Sequence, residues 1–235
     1  MLPVCIICHA DCEPAGYLCD YFERNNIAYK KVNAIQYQLG NLDLNLVSSL
    51  VFMGGPHSVN DDLPWLSDEI NLIQQAIDKN IPMMGVCLGA QLISKALGAE
   101  VITAENMETG WHQITVDISG LVGNHPFETN EYLEVFEWHE DTFALPEKAV
   151  PLFKGLNFDN QGYLYGNILT MQFHLEMNED MIYEWLQRYH GCMPEPSDYV
   201  QSPEQITAQL TVRLENLHRV ADRIYHWWIN MVKQS

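Results

Sequence analysis

Apolar residues fall into two kinds of run that alternate along the first hundred positions. Residues 4–8 and the stretch Leu50-Val51-Phe52-Met53 are short and unbroken, as in strands buried on both faces, and the second ends in Gly54-Gly55-Pro56. Residues 16–25 and 65–79 instead repeat at helical spacing, with Leu18, Tyr21 and Phe22 on one face of the first and Ile70, Ile73 and Ile77 on one face of the second. Residues 28–32 read as another strand. Ile81-Pro82-Met83-Met84 reads as a further strand that runs straight into a helix-like stretch over residues 90–97. This alternation predicts an α/β fold with a parallel sheet covered by helices.

The pattern changes after Gly98. Residues 101–103, 112–118, 132–138, 161–165 and 169–173 read as strands with short connections, an antiparallel or mixed extension of the same sheet, and residues 177–189 are helical again. Residues 191–202 have a linker's proline-rich, polar composition. Ser202-Pro203-Glu204-Gln205 then combines an N-cap, a proline at the first helical position and a capping-box glutamine. Beyond it Ile206, Leu210, Leu214, Leu217, Ala221, Ile224 and Trp228 form one apolar stripe. The expected organisation is a domain over residues 1–190, a linker over 191–202, and an amphipathic helix over 203–235 packed on the domain or at a homo-oligomer interface.

Composition narrows the function. The 235 residues are 47% hydrophobic, enough for a substantial core, and carry a formal net charge of -19. Such an acidic chain lacks the basic patches that nucleic acid or an anionic membrane requires. No apolar run approaches the roughly 18 to 20 residues of a membrane span. The first residues lack a basic leader and read directly as a strand, so the cytoplasm is the expected location. The six cysteines are therefore expected to be reduced. Cys5-Ile6-Ile7-Cys8-His9 matches a haem-attachment pattern formally, but it lies in a buried strand. A zinc site from Cys5, Cys8, Cys12 and Cys19 is disfavoured because strand alternation sends Cys5 and Cys8 to opposite faces. Neither metal nor cofactor is expected.

The candidate chemistry centres on Gly85-Val86-Cys87-Leu88-Gly89, between a strand and a helix. A nucleophile on such a turn adopts strained backbone angles, and flanking glycines let strand and helix approach. The unpaired N–H groups and dipole at the helix start favour a thiolate. A thiol nucleophile also needs a base, a group to orient the base, and oxyanion donors. His174 and Glu176 lie two apart after an apolar run, so in extended backbone they point the same way and the carboxylate can fix the imidazole. The N–H of Leu88, directly after the thiol, is one oxyanion donor. The Gly54-Gly55-Pro56 loop, where Gly55 exposes its N–H, supplies another.

In these motifs the chain resembles class I, triad-type glutamine amidotransferases, especially stand-alone proteins similar to the glutaminase domain of GMP synthase. The matching pieces come in the family's order over roughly residues 4–190: His9 with Glu13-Pro14-Ala15-Gly16, Gly54-Gly55-Pro56-His57-Ser58-Val59, Gly85-Val86-Cys87-Leu88-Gly89-Ala90-Gln91, Gly110-Trp111, Trp138-His139-Glu140-Asp141-Thr142-Phe143, Asn160-Gln161 and Gln172-Phe173-His174-Leu175-Glu176. The resemblance implies a flavodoxin-like amidotransferase fold. It further implies that Cys87 attacks the side-chain amide of glutamine, that His174 shuttles the proton, and that Glu176 orients His174. Gly55 and Leu88 would hold the oxyanion, and a γ-glutamyl thioester would be hydrolysed to glutamate.

Gln91 and the turn through Trp138, His139 and Glu140 match positions that in relatives meet the substrate's amino-acid end, with His57 on a neighbouring loop. Two positions depart from the family pattern. Leu175 replaces a frequent proline and is only a spacer, and Glu140 replaces a frequent glycine. A carboxylate there favours the substrate ammonium and keeps γ-glutamyl peptides open beside glutamine. Three readings follow: a glutaminase that hands ammonia to a synthetase partner in trans or releases it, a γ-glutamyl peptidase with the same machinery, and a catalytically silent binding protein.

Overall fold

Alternation within the first strand divides the molecule into two cores. Val4 and Ile6 pack into one cluster and Cys5 and Ile7 into the other, so the sheet is buried on both faces. The computed structural model describes residues 1–234. In chain order the elements are β1 (Val4–Cys8), α1 (Gly16–Arg24), β2 (Tyr29–Asn33), β3 (Ser49–Phe52), α2 (Pro64–Asp78), β4 (Met83–Val86), α3 (Leu88–Ala96), β5 (Val101–Val116), β6 (Tyr132–Phe143), β7 (Val150–Gly155), β8 (Gly162–Tyr165), β9 (Ile168–Met171), α4 (Glu179–Tyr189), α5 (Pro203–Thr207) and α6 (Leu210–Gln234).

The strands form one sheet in the order β2-β1-β3-β4-β9-β8-β7-β5-β6. The half from β2 to β9 is parallel, and the half from β9 to β6 is antiparallel. This is the α/β fold with a mixed central sheet that the sequence predicts. Apolar side chains of α1, α4 and α6 cover one face, including Leu18, Phe22, Ile182, Leu217 and Trp228. Those of α2 and α3 cover the other, including Leu72, Ile73, Leu92 and Ile93. No helix among the described residues is long and apolar enough to cross a membrane.

Three elements differ from the sequence reading. The expected strands over residues 101–103 and 112–118 belong to one strand, β5. Between them residues 104–107 are exposed or half-buried, Glu108, Thr109 and Gly110 are buried without being apolar, and the β5–β6 register slips between Thr103 and Glu108. An apolar pattern is blind to extended backbone whose side chains are exposed, or are buried but polar. Strand β7 was not anticipated, because Pro151 and Lys154 interrupt its apolar run; the proline sits at a register shift, where a missing ladder donor is tolerated. The C-terminal helix is broken near Gln209, which has φ of 55°, separating α5 from α6. The Ser202–Gln205 capping box forms as read. Every residue of the C-terminal apolar stripe is buried within this chain, and the indole N–H of Trp228 donates to the Met83 carbonyl at 3.1 Å.

Candidate active site

The β4–α3 turn places Cys87 at φ 50° and ψ -111°, outside the regions that side chains ordinarily occupy. The flanking glycines permit this conformation. A Cβ on Gly85 would stand 2.7 Å from the Gly89 carbonyl oxygen, and one on Gly89 would overlap the Phe52 carbonyl. Cys87 N–H donates to Met171 O at 2.8 Å and Gly89 N–H to Met53 O at 3.1 Å, which ties the turn to β9 and to the end of β3. The thiol is 6% exposed and opens into a pocket of about 500 Å³.

His174 arrives from the segment after β9, where its N–H donates to Phe136 O of β6 at 2.8 Å. The ring packs edge-on against Trp185 of α4, with centroids 5.0 Å apart. Nδ1 lies 2.6 Å from Glu176 Oε1, and Nε2 is buried with no hydrogen-bond partner. Glu176 is held in turn by α1, since Tyr17 N–H donates to the Glu176 carbonyl at 2.8 Å. Burial alone would strip the proton from His174. The Glu176 carboxylate and neighbouring Cys87 outweigh it and hold the His174 pKa well above its ordinary value.

The two N–H groups expected from the sequence to serve as oxyanion donors are both unpaired: among the described residues, neither the Gly55 N–H nor the Leu88 N–H has a hydrogen-bond acceptor within the chain. The Gly55 N–H is oriented indirectly. His9 Nδ1 lies 3.0 Å from Gly54 O and can only donate to it, which fixes the plane of the peptide that carries the Gly55 N–H on its opposite edge. His9 Nε2 contacts Glu69 at 2.9 Å, and both side chains are fully buried. Burial opposes a proton on His9, but Glu69 outweighs it and raises the pKa. Sequence reasoning quoted His9 without a role, because only the fold brings it beneath the Gly54–Gly55 loop.

The sequence-predicted substrate contacts all line the pocket, but in different ways. Gln91 is 3% exposed, and its amide nitrogen already donates to Asp141 O at 3.1 Å and Gln172 Oε1 at 3.2 Å. Trp138 presents its carbonyl 3.9 Å from Cys87 Sγ. His57 packs edge-on against Trp65, and Glu140 is exposed at the rim. His139 lies mostly behind the wall, with Nδ1 3.0 Å from Asp141 O and Nε2 facing Glu108 and Glu137.

The sequence reading missed Glu13, Tyr189, Trp185, Met107, Cys192 and Met193 as pocket residues. Glu13 accepts from Tyr189 Oη at 2.7 Å, and burial raises its pKa. A Cβ on Gly54 would lie 2.9 Å from His174 Cε1, 3.1 Å from Glu13 Oε2 and 3.7 Å from Cys87 Cβ, so Glu13 stands beside the dyad. The Glu13-Pro14-Ala15-Gly16 run was its only signal. Glu13, Glu140 and Asp141 make the lining acidic, and none of the lining residues is lysine or arginine. A thiol at a strained turn, a base with a carboxylate behind it and two free N–H groups can together perform acyl transfer through a thioester.

Comparison with known proteins identifies the family. The family model for class I glutamine amidotransferases matches residues 16–181. A crystal structure of a glutamine amidotransferase from Methylobacillus flagellatus superposes with a TM-score of 0.89 at 30% identity, covering 98% of this chain and 95% of that one. Gamma-glutamyl peptidase 4 of Arabidopsis thaliana is 28% identical over 151 residues, 62% of this chain and 60% of that protein. The glutamine-hydrolysing GMP synthase of Petrotoga mobilis is 34% identical over 151 residues, 61% of this chain and 27% of the synthase.

Proposed function

The chain belongs to the class I glutamine amidotransferase family, and on that footing we propose that it hydrolyses the side-chain amide of glutamine through a thioester on Cys87. The carrying observation is His174, bound to Glu176 at 2.6 Å through Nδ1 and leaving Nε2 unpartnered beside Cys87. The Cys87 sulfur attacks the amide carbon while the carbonyl oxygen takes negative charge between the N–H groups of Gly55 and Leu88. Collapse expels ammonia, protonated by His174. A water molecule, deprotonated by the same imidazole, then attacks the thioester to release glutamate and restore the thiol. The ammonia is released or taken up by a synthetase partner in trans.

A second reading, γ-glutamyl peptidase, is favoured by the likeness to the Arabidopsis peptidase and by the pocket size. Glutamine and γ-glutamyl peptides share the same amino-acid end, so Glu140 and the other acids there do not discriminate between them. Discrimination falls on the leaving-group side, where a peptide needs room beyond the scissile nitrogen. Purified protein offered glutamine and then a panel of γ-glutamyl peptides is expected to release glutamate from glutamine, with one ammonia for each glutamate. Turnover of the peptides alone would replace the first reading with the second. Failure of both, together with no labelling of Cys87 by a glutamine-like electrophile, would leave a silent binding protein.

The role assigned to His9 has its own test. His9→Gln is expected to lower kcat about tenfold to a hundredfold with KM nearly unchanged, the pattern of a misplaced oxyanion donor. A change confined to thermal stability would make His9 purely structural.

A further inference from the structure

The β5–β6 hairpin buries a cluster that the thiol chemistry does not use. The antiparallel register sets Glu108 opposite His139, and Glu137 lies two residues from His139 on the same strand face. The three side chains are 3%, 2% and 0% exposed for Glu108, His139 and Glu137. His139 Nδ1 must donate to the Asp141 carbonyl 3.0 Å away, so a neutral ring turns the lone pair of Nε2 inward. That atom lies 3.4 Å from Glu108 Oε2 and 3.4 Å from Glu137 Oε2. His139 Nε2 and both Glu137 oxygens are buried without a hydrogen-bond partner.

A proton shared in this triangle would draw at least one carboxylate to roughly 2.7–2.9 Å. Equal separations of 3.4 Å match instead the edge of a tetrahedron around an ion. Metal–ligand bonds of about 2.0–2.1 Å place neighbouring ligands roughly 3.3–3.4 Å apart. The three ligand atoms all fall within 4.8 Å of one another. Two carboxylates and a neutral imidazole sum to two negative charges, which a divalent cation neutralises where burial makes unpaired charge costly. The supporting contacts are also of the kind that metal ligands have. Asp141 O fixes the imidazole tautomer, and Gln161 Nε2 donates to Glu108 Oε2 at 2.8 Å. Gln161 Oε1 is itself buried and without a hydrogen-bond partner.

We propose that Glu108, Glu137 and His139 form a binding site for a divalent cation of the zinc class, directly behind the Trp138 wall of the pocket. The site is distinct from the Cys87–His174 dyad and does not depend on which substrate the dyad meets.

The test uses chelator-treated full-length protein, with Cys87→Ala alongside so that the thiol contributes no ligand. Zinc is titrated by calorimetry and cobalt(II) by visible absorption. The expected result is one equivalent bound, an intense tetrahedral cobalt spectrum in both proteins, and a rise in Tm with zinc. Glu137→Gln is expected to weaken binding about tenfold or more, while His226→Ala, on the exposed face of α6, leaves it unchanged. Failure of the wild type to bind either ion at about millimolar concentration, a pale octahedral cobalt spectrum, or undiminished binding by a folded Glu137→Gln protein would overturn the proposal. The cobalt spectrum of the wild type decides the question even if a variant does not fold.

Discussion

Cys87→Ala is expected to fold normally and to lose glutamine hydrolysis by about four to six orders of magnitude. The thiol is a small, nearly buried side chain on a turn held by backbone hydrogen bonds from Cys87 and Gly89, so removing its sulfur takes little from the packing. It removes the sulfur that, in the proposed mechanism, forms the acyl bond. His174→Gln should lose nearly as much, and the double variant little more, because thiol and base act in one step and their losses do not add. The decisive measurement is glutamate and ammonia release from matched concentrations of folded protein, verified by identical circular dichroism. A Cys87→Ala rate within about tenfold of wild type would remove the thioester mechanism altogether.

Gly89→Ala is the second large effect, and it falls on stability. The added methyl would overlap the Phe52 carbonyl oxygen and lie 2.8 Å from Phe52 Cβ. This is contact between backbones, at the point where the start of α3 rests on the end of β3. Gly89 N–H already donates to Met53 O at 3.1 Å, and β3 and β4 are hydrogen-bonded neighbours, so neither side retreats without opening the sheet. The expected loss exceeds about 4 kcal/mol. For a chain of this size that corresponds to a fall in Tm of roughly 8 to 16 °C. Gly40→Ala, with no neighbour within 4 Å of its added Cβ, is expected to change stability by less than about 0.5 kcal/mol. Equal melting curves for Gly89→Ala and wild type would show that the glycine is not needed for close packing at this turn.

How much of the site was legible depended on sequence distance. Cys87 with its two glycines and Leu88 lie within five consecutive residues, and His174 with Glu176 within three, so local geometry sufficed to read each as a unit. Their meeting was legible only through the strand-end logic of open α/β sheets and the resemblance of the ordered motifs. His9 and Glu69 are 60 positions apart, and Tyr189 and Glu13 are 176 apart. Nothing local marks either pair, because each forms only when a loop after one strand meets a distant helix. The Glu108, Glu137 and His139 cluster was invisible for the same reason, since it depends on the register of a hairpin whose slip near Thr103 no alternation pattern reports. Strand β7 and the break at Gln209 were missed where a proline or a single positive φ overrode an otherwise readable pattern.

The sequence by itself determined the alternation of strands and helices, the elbow around Cys87, the pairing of His174 with Glu176 and the net charge of -19. These follow from short-range rules: side-chain period, the permissiveness of glycine and the reach of neighbours in extended backbone. Tertiary structure alone decided that His9 turns the Gly55 N–H, that Glu13 stands beside the dyad, that the pocket is acidic without a lysine or arginine, and that the C-terminal stripe is spent on this chain's own core. Each of these depends on which distant surfaces meet, and that is set by the summed burial and hydrogen bonding of the whole sheet rather than by any segment of it.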